Sequence, residues 1–359
     1  MSYSRCVTEF IPDISDEKEL LVVEGLITDQ PEEYTITVSK SLPIGLKNEA
    51  RPVSGCTVTV SDNMGNSYRF LERDSGIYVS PPEFTGMVGR TYKLHITTPS
   101  SSGFLNYDSE PAEMLSIPSL SLYYEKVKLF DAEPDLFDKE GCQIYLNTFG
   151  SNNYYRWEYF ETWILRLPFS VPNQTCWVSD RSRNILIKNN VDFGGVPIIR
   201  QPFLYISNST DRLKTRYSIL VNQYSINEDE YNFWAALQTL TEQSGGLYDI
   251  IPGSIPSNIR CIENPDETVL GYFSVSAKAS KRIFIDNEFA GIIDLYKNCI
   301  TDTIFGDGDI RGIDTSVWVL FDKPKMFPNP RTRILTRTKG CYDCTVRGTT
   351  TRPSFWIDE

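Results

Sequence analysis

The chain has 359 residues, 40% of which are hydrophobic, and its formal net charge at pH 7 is −12. A chain of this length and apolar content can bury the cores of two ordinary domains, which excludes a disordered protein. The acidic balance argues against a nucleic-acid-binding protein, which needs basic residues to neutralise phosphates, and no apolar run approaches the roughly 20 residues of a membrane-spanning helix.

Short runs of alternating apolar and polar residues fill the first third of the chain, with turn residues between them. The clearest runs are EYTITVS, GCTVTVSD, DSGIYVS and MVGRTYKLHITT. This spacing predicts one immunoglobulin-like β-sandwich over residues 18–120. The single histidine of the chain, His95, alternates with Leu94 and Ile96 and shares the polar face of a strand with Lys93. We therefore predict a solvated surface residue rather than a zinc ligand or a member of a Ser-His-Asp triad.

The rest of the chain, residues 121–359, is predicted to form a larger second domain that also consists mostly of strands. Its clearest runs are NYYRWEYFE, RYSILVNQYS, TVLGYFSVSA and KRIFID. One amphipathic helix is predicted over about residues 226–244, because Ser225 and Asn227 are candidate N-caps and acidic residues follow them. An apolar stripe that begins at Phe233 gives this helix a face that packs on the core. The predicted fold class is therefore all-β, with one helix.

The cysteines indicate an exported protein, because eight in one chain are unusual in a reducing compartment. Cys341 and Cys344 form a C-x-x-C pair, but no second pair completes a zinc site and no helix signal follows for a redox site. We therefore predict disulfides from this pair to distant partners. The best candidates are Cys176 and Cys299, both in loop-like settings, and the pairing itself stays open. Cys56 lies on the apolar face of a strand and is expected to be a free thiol.

Two acidic patterns were tested as chemical sites. The stretch GDGDIRGID, residues 306–314, suggests a calcium loop, but Arg311 falls on a ligand position of the EF-hand pattern, so we predict an acidic turn and no metal. Carboxylate pairs of the glycosidase kind are expected by chance among 47 acidic residues. The pairs considered were Glu228 with Glu230 and Asp131 with Glu133.

Two tryptophans are weak candidates for a ligand-binding surface. Trp163 and Trp177 could stack on a glycan or peptide if their rings are exposed, and the alternative is that both pack in a core. The sequence contains no glycine-rich phosphate loop and no G-x-S-x-G turn, so no cofactor is expected.

The order of the motifs resembles a Bacteroidota lipoprotein family catalogued as domain of unknown function 4249. The landmarks that carry the resemblance are CVTEFIP, LLVVEGLIT, YTITVSKSLPI, PVSGCTVTVSDNMGN, the strand and helix block that starts at RYSILVNQYS, NPDETVLGYFSVSA, and the ending CYDCTVRGTTTRPSFW. The first domain is also similar to prealbumin-like sandwich repeats, which implies an interaction or spacer module.

The family resemblance implies a lipid anchor. Cys6 is similar to the lipid-attachment cysteine of the family, and residues 1–17 would then be a leader and a tether to the first domain. Several acyl chains give stable anchoring, since each buried methylene contributes about 0.8 kcal/mol. The alternative is that Cys6 is an unmodified terminal cysteine. Family members are often encoded beside TonB-dependent outer-membrane receptors, which implies a receptor barrel as the partner.

Three functions are compatible with these observations. The leading hypothesis is a non-enzymatic, lipid-anchored protein of the outer membrane, on its extracellular face, that assists a TonB-dependent receptor in nutrient capture. The second is a surface protein that binds a glycan or a peptide on its own. The third is a hydrolase of unrecognised type, which a cleft with a perturbed carboxylate pair would support.

Overall fold

The structure is a computed structural model, and it describes residues 19–41, 51–100, 103–129, 139–150, 152–168, 171, 173–191, 196–243, 255, 257–293, 301–305, 319–322, 332–336 and 338–357. These residues form strands and one α-helix, so the predicted all-β fold class with a single helix is confirmed.

The strands of the N-terminal third are β1 (Leu21–Ile27), β2 (Thr35–Lys40), β3 (Arg51–Pro52), β4 (Thr57–Asp62), β5 (Ser67–Asp74), β6 (Ile77–Val79), β7 (Thr91–Ser100), β8 (Gly103–Ser109) and β9 (Ala112–Glu113). The next elements are β10 (Leu120–Leu129), β11 (Lys139–Thr148), β12 (Tyr154–Arg166), β13 (Thr175–Arg181), β14 (Leu186–Asn189), β15 (Ile198–Ile206), β16 (Arg216–Ser225) and α1 (Glu228–Gln243). The last strands are β17 (Ile259–Cys261), β18 (Val269–Val275), β19 (Lys278–Asp286), β20 (Thr301–Phe305), β21 (Val319–Asp322) and β22 (Thr332–Thr336).

The first sheet folds over one core. Its strands follow the order β17-β8-β7-β4-β5-β6-β2-β1-β18, with β3 beside β2 and β9 beside β7. Burial alternates along β7, where Tyr92, Leu94 and Ile96 face inward, as the period of a half-buried strand requires. Ile259 of β17 and Phe273 of β18 belong to one buried cluster although these strands lie at opposite ends of the order, so the sheet closes into a sandwich-like layer pair.

Two strands of this sheet come from beyond residue 120. β18 runs parallel to β1, with Leu21 opposite Val269 and Val23 opposite Gly271. Gly271 has a φ of +85°, and a Cβ at this residue would lie 2.1 Å from the carbonyl oxygen of Val23, so glycine is needed at this crossing. The division of the chain at residue 120, and the immunoglobulin-like or prealbumin-like assignment, stay predictions.

A second core lies between two further sheets. The three-stranded sheet β10-β11-β15 packs on the sheet β13-β12-β16-β19, to which β14 adds beside β12. Ile144 and Leu146 of β11 are buried in this cluster together with Trp157 of β12 and Val221 of β16. β12 alternates as predicted, with Trp157 facing this core and its neighbours facing the opposite side of the sheet.

The helix α1 follows β16 and begins where the sequence predicts. The Asn227 side chain caps it, because Oδ1 accepts a hydrogen bond of 2.8 Å from the Glu230 N–H. The other predicted cap, Ser225, donates to the Leu115 carbonyl instead. Among the described residues, no helix has both the length and the apolar character needed to cross a membrane.

The C-terminal segment, residues 338–357, wraps around the edge strand β13. A disulfide joins Cys344 to Cys176 of β13, which agrees with the predicted link from the C-x-x-C pair to a distant cysteine. Cys341 is also disulfide-bonded. Thr349 pairs with Trp177 through two backbone hydrogen bonds of 2.8 and 3.0 Å, so the segment extends this edge of the sheet.

Candidate functional site

The candidate site lies on the outer face of the β13-β12-β16-β19 sheet, the face turned away from the second core. Strand register places outward-pointing side chains in rows that run across the four strands. The central row is Arg181, Phe160, Leu220 and Arg282. The row on the C-terminal side is Ser179, Thr162, Ser218 and Phe284, and the row towards α1 contains Glu158, Asn222 and Ser280.

The central row forms the floor of a depression of about 590 Å³, which we call the outer groove. The outer groove is lined by Phe160, Glu161, Thr162, Ser179, Asp180, Arg181, Leu220, Arg282 and Phe355. The Phe160 ring is 41% exposed, so an apolar surface is open in the middle of the row. Thr162 and Ser179 share a hydrogen bond of 2.9 Å and supply hydroxyl groups beside that ring.

Arg282 is held in a fixed position at the β19 end of the outer groove. Its guanidinium carbon lies 3.6 Å from the ring centroid of Phe355, and its Nη1 donates a 2.9 Å hydrogen bond to the Ser218 hydroxyl. Burial lowers the pKa of the Arg282 guanidinium, which remains charged at neutral pH because arginine loses its proton only in strong base. The outer groove therefore holds a positioned, half-buried cation.

The charges that line the outer groove are unequally matched. Glu161 lies 3.1 Å from Arg212, and Asp180 lies 3.4 Å from Arg183. Neither Arg181 nor Arg282 has a carboxylate within ion-pair distance in the part of the chain that the structure describes. Both carboxylates alternate along their strands with the residues of the outward rows, so their side chains point to the opposite face of the sheet. The two arginines of the central row therefore leave a local excess of positive charge on the outer face.

A cluster around Arg156 closes the outer face beneath α1. The Arg156 guanidinium carbon lies 4.6 Å from the ring centroid of Tyr224 and 4.8 Å from that of Trp234. The same group pairs with Glu158, and its Nε lies 4.0 Å from Glu230 Oε1. The Arg156 side chain is only 8% exposed, so α1 and the sheet are joined through a desolvated cation between two aromatic rings.

Glu230 is the buried carboxylate of this cluster. The Trp234 indole N–H donates to Glu230 Oε1 over 3.1 Å. Burial raises the pKa of Glu230, although the charge of Arg156 opposes this effect. A second cavity of about 360 Å³ beside Arg156 shares Phe160 and Arg181 with the outer groove, so the two cavities are neighbours on one face.

The C-terminal segment forms the opposite wall of the outer groove. The Trp356 ring meets Trp177 edge-on at 6.5 Å and Phe284 at 5.5 Å. Because Trp177 and Phe284 lie on strands at opposite edges of the sheet, Trp356 covers the sheet from edge to edge. This contact places the neighbouring Phe355 over Arg282.

The predicted ligand-binding tryptophans occupy different environments. Trp163 is 7% exposed and belongs to the second core, so its ring offers no open face. Trp177 is half-buried under Trp356. Neither residue lines the outer groove, which uses Phe160 of the same strand as Trp163.

Several other predicted sites lie outside the described residues. They are Cys6, Cys299, the acidic stretch 306–314 and the pair Asp131 with Glu133. Cys56 is free, as predicted, and half-buried. Of the pair Glu228 with Glu230, Glu230 lies in the Arg156 cluster and Glu228 is exposed. Within the described part of the chain, no three metal-ligating side chains form a group that could hold a metal ion.

A hydrogen-bonded row on the first sheet joins residues of three strands. Ser61 Oγ of β4 lies 2.8 Å from His95 Nε2 of β7, and His95 Nδ1 lies 2.8 Å from Asp108 Oδ1 of β8. Since a carboxylate only accepts, the neutral imidazole donates from Nδ1 to Asp108 and accepts from Ser61. The pKa of Asp108 is lowered overall. Partial burial alone would raise this pKa, but the hydrogen bonds from Lys93 and His95 have the larger effect.

The distances in this row are those of a Ser-His-Asp triad, but its setting is different. Ser61 lies in mid-sheet, with β5 on one side and β7 on the other, so the nearby backbone N–H groups are engaged in the ladder. An oxyanion hole needs such donors to be free. The row is therefore a hydrogen-bond network on the sheet surface. The His95 side chain is 39% exposed.

The sequence of β12 contains a signal for the outer face. The run NYYRWEYFE places Arg156, Glu158 and Phe160 on the side of β12 opposite Trp157, which marks a polar face with one exposed ring. The partners Leu220 and Arg282 come from other strands, and only the register shows that they lie in the same row.

A family model described as "Domain of unknown function (DUF4249)" matches residues 7–282. No curated protein matches the chain. The matched range contains every residue that lines the outer groove except Phe355 of the C-terminal segment.

Proposed function

This chain belongs to the family Domain of unknown function (DUF4249), and from that premise we propose that it is a non-enzymatic ligand-capture protein of the outer membrane. In this proposal it is lipid-anchored through Cys6, faces the outside of the cell, and passes a nutrient to a TonB-dependent receptor. The observation that supports the capture role is the outer groove, which combines an open aromatic ring, a hydroxyl group and two arginines that have no carboxylate partner among the described residues.

The outer groove has the composition of a binding site rather than of a catalytic site. Binding sites present apolar surface with a few positioned polar groups, which describes Phe160, Leu220 and Arg282. Glu161 and Asp180 belong to strands that line the groove, but their side chains point to the opposite face of the sheet and each pairs with an arginine, so they are poorly placed as general acids or bases. These observations support a protein that binds its ligand without changing it.

The family assignment supports the membrane role. The match begins at residue 7, directly after Cys6, as it would if the family's domain starts at a lipidated cysteine. The residues between Cys6 and β1 then serve as the tether. The eight cysteines and the Cys176–Cys344 disulfide suit an oxidising compartment outside the cytosol.

Purification from the native host tests this function. A tagged full chain is expressed at its native level, the outer membrane is solubilised in mild detergent, and the proteins that copurify are identified. We expect a TonB-dependent receptor barrel in near-stoichiometric amount. Recovery of the chain from the soluble fraction alone contradicts the proposal. Recovery from the membrane without a barrel favours the second candidate, a surface protein that binds glycans on its own.

A further inference from the structure

We propose that the outer groove binds an acidic oligosaccharide, whose carboxylate pairs with Arg282 while a sugar ring lies on Phe160. This inference rests on the proposed capture function and names its ligand class. It follows from three observations on the described residues: the unmatched charge, the chemistry of the rows, and the distance between the two cations.

The positive charge of the outer groove favours an anionic ligand. Arg181 and Arg282 have no carboxylate partner among the described residues, while the side chains of Glu161 and Asp180 point to the opposite face of the sheet and pair there with Arg212 and Arg183. Arginine presents a planar fork that binds a carboxylate through two parallel hydrogen bonds. The whole chain has a net charge of −12, whereas these two arginines make the outer groove locally positive. An anionic ligand would restore the balance.

The chemistry of the rows favours a saccharide over a peptide. An extended peptide that binds by strand addition needs a sheet edge, where backbone groups are free. The outer groove lies over β12 and β16, whose backbone groups already pair with neighbouring strands on both sides. A ligand there meets only side chains, among them the exposed Ser179 hydroxyl and the exposed Phe160 ring, while Thr162 is buried and holds Ser179 in place through its hydrogen bond. Hydroxyl groups and the apolar face of a sugar ring match these partners.

The distance between the cations indicates an oligomer. Arg181 lies on β13 and Arg282 on β19, so three strand spacings separate them. Three spacings of about 4.8 Å span roughly 14 Å, which is longer than a single sugar ring. A ligand that reaches both cations therefore needs several sugar units. The apolar floor between them, formed by Phe160 and Leu220, is the surface that the middle units would cover.

Isothermal titration of the full chain with trigalacturonate tests this inference, with the neutral trisaccharide maltotriose as the comparison probe. We expect trigalacturonate to bind about tenfold or more tightly than maltotriose, because only the acidic sugar can form charge-assisted hydrogen bonds with the arginines. The affinity for trigalacturonate is expected to fall as salt rises.

Two variants test the assigned residues. Arg282→Gln is expected to weaken trigalacturonate binding about tenfold or more. The matched control, Lys281→Gln, removes the same charge from the neighbouring exposed residue, which points to the other face of β19, and is expected to bind as the wild type does. Arg181→Gln changes an exposed residue of the same groove. It tests the loss of trigalacturonate binding independently if Arg282→Gln unfolds.

The following results overturn the inference. Equal affinity for trigalacturonate and maltotriose excludes recognition of charge, and unchanged binding by both arginine variants excludes the outer groove. Binding of a tripeptide with a free carboxyl terminus, but not of its amidated form or of trigalacturonate, shows a peptide ligand instead. None of these results affects copurification with a receptor barrel, so failure of the ligand class is distinguishable from failure of the proposed function.

Discussion

The guanidinium carbon of Arg156 in β12 lies 4.8 Å from the ring centroid of Trp234 in α1. Arg156 also contacts Tyr224 and two carboxylates, so one desolvated side chain joins the helix to the outer face of the sheet. This contact is one of those that hold α1 against the sheet, because the helix supplies both Glu230 and Trp234.

Arg156→Gln is expected to lower the free energy of unfolding by about 3–5 kcal/mol, because it leaves the buried Glu230 carboxylate without its cation. Urea unfolding followed by far-ultraviolet circular dichroism measures the change. Arg183→Gln is the matched control, since Arg183 lines the same cavity but its side chain is 82% exposed; its effect is expected to stay within about 0.5 kcal/mol. Equal effects of the two substitutions would show that the Arg156 cluster does not hold the helix.

Glu230→Gln is expected to change how stability depends on pH. Burial raises the pKa of Glu230 in the folded state, so the folded protein holds this proton more tightly than the unfolded chain does. The contribution of Glu230 is therefore fully present below its unfolded pKa of about 4.3 and is lost as pH rises through its folded pKa. Relative to Glu230→Gln, the wild type should lose stability as pH rises above about 4.3, as measured by urea unfolding at a series of pH values. A constant difference across this range contradicts the assignment.

Removal of the Cys176–Cys344 disulfide is expected to destabilise the protein by about 2–5 kcal/mol, since the bond closes a chain separation of 168 residues. The double variant Cys176→Ala with Cys344→Ala is compared with the wild type by urea unfolding without reductant. Cys56→Ala removes a free, half-buried thiol and serves as the control, with a smaller expected loss. If the double variant is as stable as this control, the C-terminal segment is held by its packing and not by the disulfide.

Ser61→Ala is expected to leave any hydrolysis of p-nitrophenyl acetate by the purified protein unchanged. Ser61, His95 and Asp108 are hydrogen-bonded in sequence, but the surrounding backbone N–H groups are used by the sheet. Lys93→Gln is the control, because it removes the ion pair with Asp108 and leaves the Ser61 hydroxyl in place. Hydrolysis that disappears in Ser61→Ala and persists in Lys93→Gln would contradict the non-enzymatic function.

The local elements were predictable because their signals lie within a few residues. The alternation of Tyr155 and Trp157 with Arg156 predicted the two faces of β12, and the structure buries both aromatic residues against the second core. The helix start was predicted from Asn227 and the acidic residues after it, and Asn227 forms the cap. In both cases the physical cause is local backbone geometry.

The outer groove could not be predicted because it depends on register between distant strands. Phe160, Leu220 and Arg282 lie on three strands, and no property of any one strand shows which residues face each other across the sheet. The same holds for Ser61, His95 and Asp108 on the first sheet. The weak prediction of Trp163 and Trp177 followed residue type alone, whereas burial of Trp163 is set by its partner strands.

Anchoring at Cys6 is the claim on which the membrane role depends, since a protein away from the outer membrane cannot serve a receptor there. The most direct test is the intact mass of the native protein from its own host, measured in each cell fraction. The account predicts a membrane-bound species that begins at Cys6 and is heavier by three acyl chains. A soluble species that retains Met1 and carries no lipid would contradict it.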